Sequence, residues 1–213
     1  MKIWDVLHLH DIALLVFEGT SGDLSSPART LPDIEFLRCA TAIKSANAVL
    51  GHAVSAGRLQ RRLANGLSFA VFSTNGQPMA STWLASGGRY VDEVNWWFPT
   101  GPDELWLRDV FVAPAFRGRR LLADIVLALA QQADSPNRRV WSDVDWIDAR
   151  SMRAHELAGF RIAARVRALD FMGRVRLRSA LPTWPLPLTE IDPKSRWIWL
   201  RGSRLQRHQE LLA

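Results

Sequence analysis

The first readable pattern is the run IALLVFE at residues 12–18, apolar and partly β-branched, which predicts a short strand. Residues 19–32 are rich in Gly, Ser and Pro and read as a loop. From Asp33, taken as a helix N-cap, the pattern turns helical. Ile34, Leu37, Ala40, Ala42 and Ile43 recur at helical spacing, and so do Val49, Leu50, Val54, Leu59 and Leu63. Gly51 and Gly57 split this stretch into two helices or kink it. Asn65-Gly66 ends it, since both residues tolerate the left-handed conformation. Cys39 falls inside the apolar pattern and reads as a small core residue.

LSFAVFS and MASTWLAS then flank Asn75-Gly76, a strong hairpin signal. Residues 89–98 form another strand or a substrate loop. LWLRDVFVAP, after a Pro/Gly turn at 99–102, reads as a central strand. Residues 118–134 are helical, 139–145 a strand and 148–158 a short helix. From Phe160 to about Arg178 the chain is strand-like with a break at Gly173. The order predicts an α/β domain over residues 1–180, with a mixed central sheet flanked by helices. Residues 181–213 are a Pro/Trp-rich extension packed on that domain by its tryptophans. It would cover an acceptor groove, complete the sheet or mediate a homodimer.

Composition narrows the class. The chain has 213 residues, 48% hydrophobic and 23% charged, ordinary for a globular domain. No apolar run reaches the roughly 20 residues that span a bilayer. Asp5, His8, His10 and Asp11 interrupt the start where a signal peptide needs apolar residues. The single cysteine makes no internal disulfide, which fits a cytoplasmic protein. Of 27 basic residues only Lys2, Lys44 and Lys194 are lysines. Residues 1–100 are charge-balanced, so the net +6 falls on the second half. Arginine forks there suit an anionic ligand, phosphate or carboxylate.

The candidate chemistry sits in two segments. In the first, Asp109 to Leu121, a strand runs into the turn Arg117-Gly118-Arg119-Arg120 that opens a helix. Helix N-termini present N–H groups and a positive dipole end to anions. Gly118 permits close backbone approach, and the three arginines add charge. In the second, Asp148 to Phe160, Ser151 and His155 share one helix face, and Gly159 ends the helix.

At these two segments the sequence resembles the GCN5-related N-acetyltransferase (GNAT) superfamily. The family pattern V-x-P-x-x-R-G-x-G is similar to Val112–Arg120. The later N-x-x-(S/A)-x-x-x-(Y/H)-x-x-x-G-F is similar to Asp148–Phe160. The motif order covers about residues 66–170. The sequence departs from the pattern at Arg120, where a second glycine is usual, and at Ala115. It departs also at Asp148, where Asn is usual, and at His155, where tyrosine is common.

The resemblance implies direct acyl transfer from acyl-CoA, usually acetyl-CoA, to an amine without a metal. Val110, Phe111 and Val112 would offer backbone groups to the pantetheine arm from a splayed strand. Arg117, Gly118, Arg119 and Arg120, with Leu121 and Leu122, would cradle the pyrophosphate. Asp148 and Ser151 would complete the cofactor site. Asp109 is the first candidate for the base that deprotonates the amine, with Asp92 and Glu93 next; as a strut, Asp109 would instead pair with Arg108 or Arg117. His155 would donate to the CoA thiolate, or simply pack against CoA.

Asn95, Trp96 and Trp97 are acceptor-binding candidates, since two adjacent tryptophans cannot both enter one core face. Arg165 and Arg167, then Arg174, Arg176 and Arg178, form rows at period two that read as a phosphate-binding or solvated face. No nucleic-acid motif accompanies them. His8 and His10 lack a third partner for a metal. The expected acceptor is a small amine: an amino sugar, an amino acid or a polyamine, with an anionic one slightly favoured. The alternatives are a GNAT-fold acyl-CoA-binding module with little catalysis and a protein acetyltransferase acting on lysine or an N-terminus.

Overall fold

The computed structural model describes residues 7–18, 31–91, 96–98, 100–101, 104–132, 139–171, 174–179 and 198–201. Its strands are β1 (Leu7–Glu18), β2 (Asp33–Leu37), β3 (Ser68–Thr74), β4 (Gln77–Ser86), β5 (Arg89–Val91), β6 (Trp96–Phe98), β7 (Leu105–Val112), β8 (Arg139–Asp145), β9 (Arg161–Phe171), β10 (Arg174–Ser179) and β11 (Ile198–Arg201). Its helices are α1 (Ala40–Leu50), α2 (Ala56–Ala64), α3 (Leu121–Gln131) and α4 (Ala149–Leu157). Nine strands form one sheet in the order β11-β10-β9-β1-β8-β7-β4-β3-β2, and β5 and β6 pair separately. The β7–β8 pair is parallel, and the other described pairs are antiparallel.

Strand alternation divides the core between the two sheet faces. Ala13, Leu15 and Phe17 of β1 meet Leu121, Ile125 and Leu129 of α3 on one face. Leu14 and Val16 point the other way, toward Trp106, Trp141 and Phe98. On that second face Ile43 of α1 and Leu59 of α2 cover Phe69, Val71 and Trp83. The helices thus bury both sides of the mixed sheet, as the element order predicts.

The β3–β4 hairpin turns at Asn75 and Gly76, with φ of 51° and 75°. Two positive φ values in succession are what a two-residue turn of this hand demands. Gly51, at φ 73°, caps α1, so the helical stretch is two helices.

Two sequence expectations are corrected here. Asp33 does not start a helix: residues 33–37 form edge strand β2, paired antiparallel to β3 with Ile34 opposite Phe72. Ile34 and Leu37, three apart, satisfy a helical pattern over so short a stretch, and the free edge of β3 decides the outcome. Cys39 is exposed, at the N-cap of α1, and is no core residue. Backbone N–H groups of Ala42 and Thr41 hold its thiol below the ordinary range.

In the C-terminal extension, β11 pairs with β10 and adds an edge strand, with Val175 opposite Leu200. No helix among the described residues is long and apolar enough to cross a membrane.

Candidate functional site

The site begins where two central strands part. Strands β7 and β8 pair only at Leu105–Val140, Trp106–Trp141 and Leu107–Ser142. Beyond Leu107 and Ser142 the strands diverge and open a fork. On its other edge β7 carries a bulge. Ser81 faces Phe111 and Trp83 faces Arg108, so two residues of β7, Asp109 and Val110, oppose Thr82 alone. Asp109 sits at φ 50°, in the left-handed region, as the bulge requires. The fully buried Thr82 donates its hydroxyl to the Arg108 carbonyl at 3.1 Å and fixes the bulge from β4.

The fork encloses a cleft of about 320 Å³. Val110 and Val112 line it from β7, Ser142 and Asp143 from β8, Leu122 from α3, and Ser151 and His155 from α4. Several predicted residues therefore converge: Asp109, Val110, Val112, Leu122, Ser151 and His155. Phe111, between two of them, turns instead to the opposite face and packs against His52, ring centroids 4.2 Å apart. Burial pushes the pKa of His52 below its ordinary value.

At the α3 end, residues Pro114–Phe116 make a short 3-10 turn, followed by the exposed sequence Arg117–Arg120. Gly118 lies at φ 77° with open space where a Cβ would be. Arg120 is at φ 57°, directly before α3. The position thus keeps the left-handed backbone that a glycine would favour, although arginine occupies it. Arg117 donates from Nε to the Val112 carbonyl at 3.1 Å, and its guanidinium lies 5.8 Å from the Phe111 ring centroid. Arg119 lies similarly over Phe116 at 5.5 Å. These contacts hold both cations beside the helix N-terminus, a donor set that fits a pyrophosphate. Leu121 is buried in the core beneath the turn.

The α4 motif has a clear local logic. Asp148 caps the helix, its Oδ1 accepting from Ser151 N–H at 3.0 Å. His155 is buried, with Nδ1 2.9 Å from the Ser151 carbonyl and Nε2 2.9 Å from Ser142 Oγ. A carbonyl only accepts, so Nδ1 carries the hydrogen and Nε2 accepts from the Ser142 hydroxyl. Burial pushes the His155 pKa below its ordinary value of 6.5, and the imidazole is neutral near pH 7. In the resting protein the ring hydrogen is therefore on Nδ1, and Nε2 carries none. Phe160 meets the ring edge-on, with centroids 5.0 Å apart.

Asp109 pairs with Arg62 of α2, which is itself buried and lies 5.2 Å over the Trp83 ring. Burial lowers the Arg62 pKa, and Asp109 opposes that shift. Arg62, 47 residues away in sequence, is thus a strut partner of Asp109 that the sequence pattern does not name. The second carboxylate of the cleft, Asp143, pairs with Arg89 and accepts from Trp106 Nε1 at 2.6 Å. Sequence reasoning missed Arg62, Ser142 and Asp143.

Asp92, Glu93 and Asn95 lie outside the described residues. Trp96 and Trp97 lie on β6, paired with Val91 and Tyr90, and their side chains are outside the description. Arg165 and Arg167 share Asp11, at 2.5 Å and 3.1 Å, with Arg165 stacked 3.8 Å over Trp146, so this arginine row is paired within the sheet face. Among the described residues no group of three or more His, Cys, Asp or Glu side chains is placed to hold a metal ion.

The element order, the fork between two parallel central strands and the bulge beside it make this a GNAT fold, as the two motifs lead one to expect. No protein-family model and no curated protein matches the chain. Among solved structures it is similar to a conserved protein of unknown function from Staphylococcus epidermidis, at 14% identity over 78% of this chain and 63% of that one, TM-score 0.51. It is similar also to a GNAT-family acetyltransferase from Colwellia psychrerythraea, at 13% identity over 79% and 59%, TM-score 0.48. A GCN5-related N-acetyltransferase from Kribbella flavida gives 17% identity over 80% and 62%, TM-score 0.45. At 14% identity the likeness to the Staphylococcus epidermidis protein is one of fold. The chain spans less than two thirds of the length of these three structures.

Proposed function

We propose that this chain is an acyl-CoA-dependent N-acyltransferase that moves an acyl group, most simply acetyl, directly to the amine of a small molecule. The observation that carries the reading is the fork between β7 and β8, with the Arg117–Arg120 turn at the start of α3 beside it. The fork has free strand edges on one side and a cationic helix N-terminus on the other.

In this reading the pyrophosphate of acyl-CoA rests on Arg117, Gly118, Arg119 and Arg120. The pantetheine arm runs along Val110 to Val112 and takes hydrogen bonds from their backbone. Leu122 and Ser151 form the wall, and Asp148 holds α4 in place. The thioester then reaches the apex of the fork near Ser142. The amine nitrogen attacks the thioester carbon, the C–S bond breaks, the nitrogen loses a proton and the CoA sulfur gains one. Asp109 and Asp143 act as struts, because each is engaged by an arginine. The acceptor therefore enters as the neutral amine, and orientation in the cleft supplies the main rate advantage.

Calorimetric titration with acetyl-CoA tests the cofactor site. Saturable binding, weakened at least tenfold in the Arg117→Ala/Arg120→Ala protein, is expected. Turnover is then sought by mass-detected amide formation with amino sugars, amino acids, polyamines and lysine peptides. Failure of every acyl-CoA to bind overturns the reading; binding without turnover on any amine points to a binding module.

A further inference from the structure

We propose that Ser142 and His155 form a nucleophile–base pair, through which the protein takes the acyl group onto Ser142 and hydrolyses acyl-CoA when no amine is bound. The proposal rests on the reading that the fork holds acyl-CoA. It goes beyond direct transfer, which needs no acylated side chain.

The geometry meets the requirements of an activated serine. Nucleophile and base lie within hydrogen-bond reach, Ser142 Oγ to His155 Nε2 at 2.9 Å. A third group orients the base: the Ser151 carbonyl, 2.9 Å from Nδ1, fixes the tautomer that leaves Nε2 as acceptor. The serine hydrogen is thereby drawn toward the ring. Ser142 also sits at the last paired position of β7 and β8, opposite Leu107, where the fork opens. Both side chains line the cleft. Arg108 lines the cleft as well. Ser142 is 4% and His155 6% exposed, and this low-dielectric setting strengthens the hydrogen bond between them.

The chemistry balances without a further reactant. Ser142 Oγ attacks the thioester carbon while Nε2 takes its proton. The tetrahedral intermediate collapses, the C–S bond breaks, and the CoA sulfur leaves with the proton from Nε2. Water then attacks the acyl-serine ester, giving its proton to Nε2. The ester C–O bond breaks, Ser142 recovers that proton, and a carboxylic acid is released. The lowered basicity of the buried imidazole makes this a slow reaction.

The test incubates the full chain with acetyl-CoA and no amine, then quenches with acid. Peptide mass spectrometry locates any acetyl group, and chromatography measures released CoA, because exposed Cys39 would react with a thiol dye. An acetyl group on the peptide carrying Ser142 is expected. It should be absent in Ser142→Ala and reduced at least tenfold in His155→Gln, with CoA release falling in parallel. Melting curves establish that both variants are folded, and calorimetry reports acetyl-CoA binding separately. Binding with no adduct on Ser142, or hydrolysis undiminished in Ser142→Ala, overturns the pair while leaving acyl transfer standing. Absence of binding overturns both.

Discussion

Arg120 joins a conformational cost to a functional charge, and the two separate on substitution. Its φ of 57° places an L-residue in the left-handed region, which costs roughly 1–2 kcal/mol relative to the right-handed one. Glycine avoids that cost but gives back about 0.5–1 kcal/mol through the greater entropy of the unfolded chain. Arg120→Gly should therefore stabilise the fold by about 0.5–1 kcal/mol. Arg120→Ala keeps the strained backbone and should be no more stable than the parent. For a chain of this size the glycine variant should melt about 1–4 °C above the alanine variant. CoA affinity should fall in both, since both lose a cation at the α3 N-terminus. Loss of one phosphate contact of about 1–1.4 kcal/mol raises Kd about five- to tenfold. Thermal melts and calorimetry with CoA read the two effects on the same samples. Equal melting of the two variants would refute the backbone argument. Unchanged CoA affinity would refute the placement of pyrophosphate at Arg120.

Three further outcomes follow from the packing. His155 binds its proton less readily folded than unfolded, so the unfolded chain takes up more protons as pH falls below about 7. Stability should drop by up to about 1.4 kcal/mol per pH unit between pH 7 and 5, above the range where Asp11 and Glu18 titrate, and His155→Gln should flatten that slope in urea melts. Asp109→Asn leaves the buried Arg62 without its carboxylate and should cost about 1–2 kcal/mol of stability by chemical denaturation, with KM for acetyl-CoA held within about twofold. Gly159→Ala forces a Cβ to 3.3 Å from Phe17 Cε2 at φ 89° and should cost about 2 kcal/mol, read as a lower urea midpoint at unchanged slope.

What could be read from the sequence was local. Asn75-Gly76, Gly51 and the Arg117–Leu121 turn announce themselves because a few adjacent residues fix backbone and charge together. β2 was misread because five residues with Ile34 and Leu37 at helical spacing do not decide a period, whereas pairing along β3 does. Arg62 was invisible: on α2 it is one arginine among Arg58 and Arg61, and only the tertiary fold turns it onto Trp83 and Asp109. Ser142 did leave a signal. Val140, Ser142 and Val144 share the core-facing side of β8, and a small polar residue between two valines on such a face demands a partner. His155, at the far end of α4, is that partner.

The commitment of both cleft carboxylates to arginines has a kinetic consequence. In the proposed reaction Asp109 stays on Arg62 and Asp143 on Arg89, and neither serves as the base. His155 Nε2 is occupied by the Ser142 hydroxyl. Deprotonation of the ammonium then falls to solvent, and the reactive fraction of acceptor is set by its own pKa. The rate constant kcat/KM should rise tenfold per pH unit below that pKa and level off above it. Two accepted amines whose pKa values differ by about two units should give profiles whose inflections differ by the same amount. An inflection at one pH for both amines would refute this. It would assign the base to an enzyme group outside the described cleft, with Asp92 and Glu93, between β5 and β6, the first to substitute.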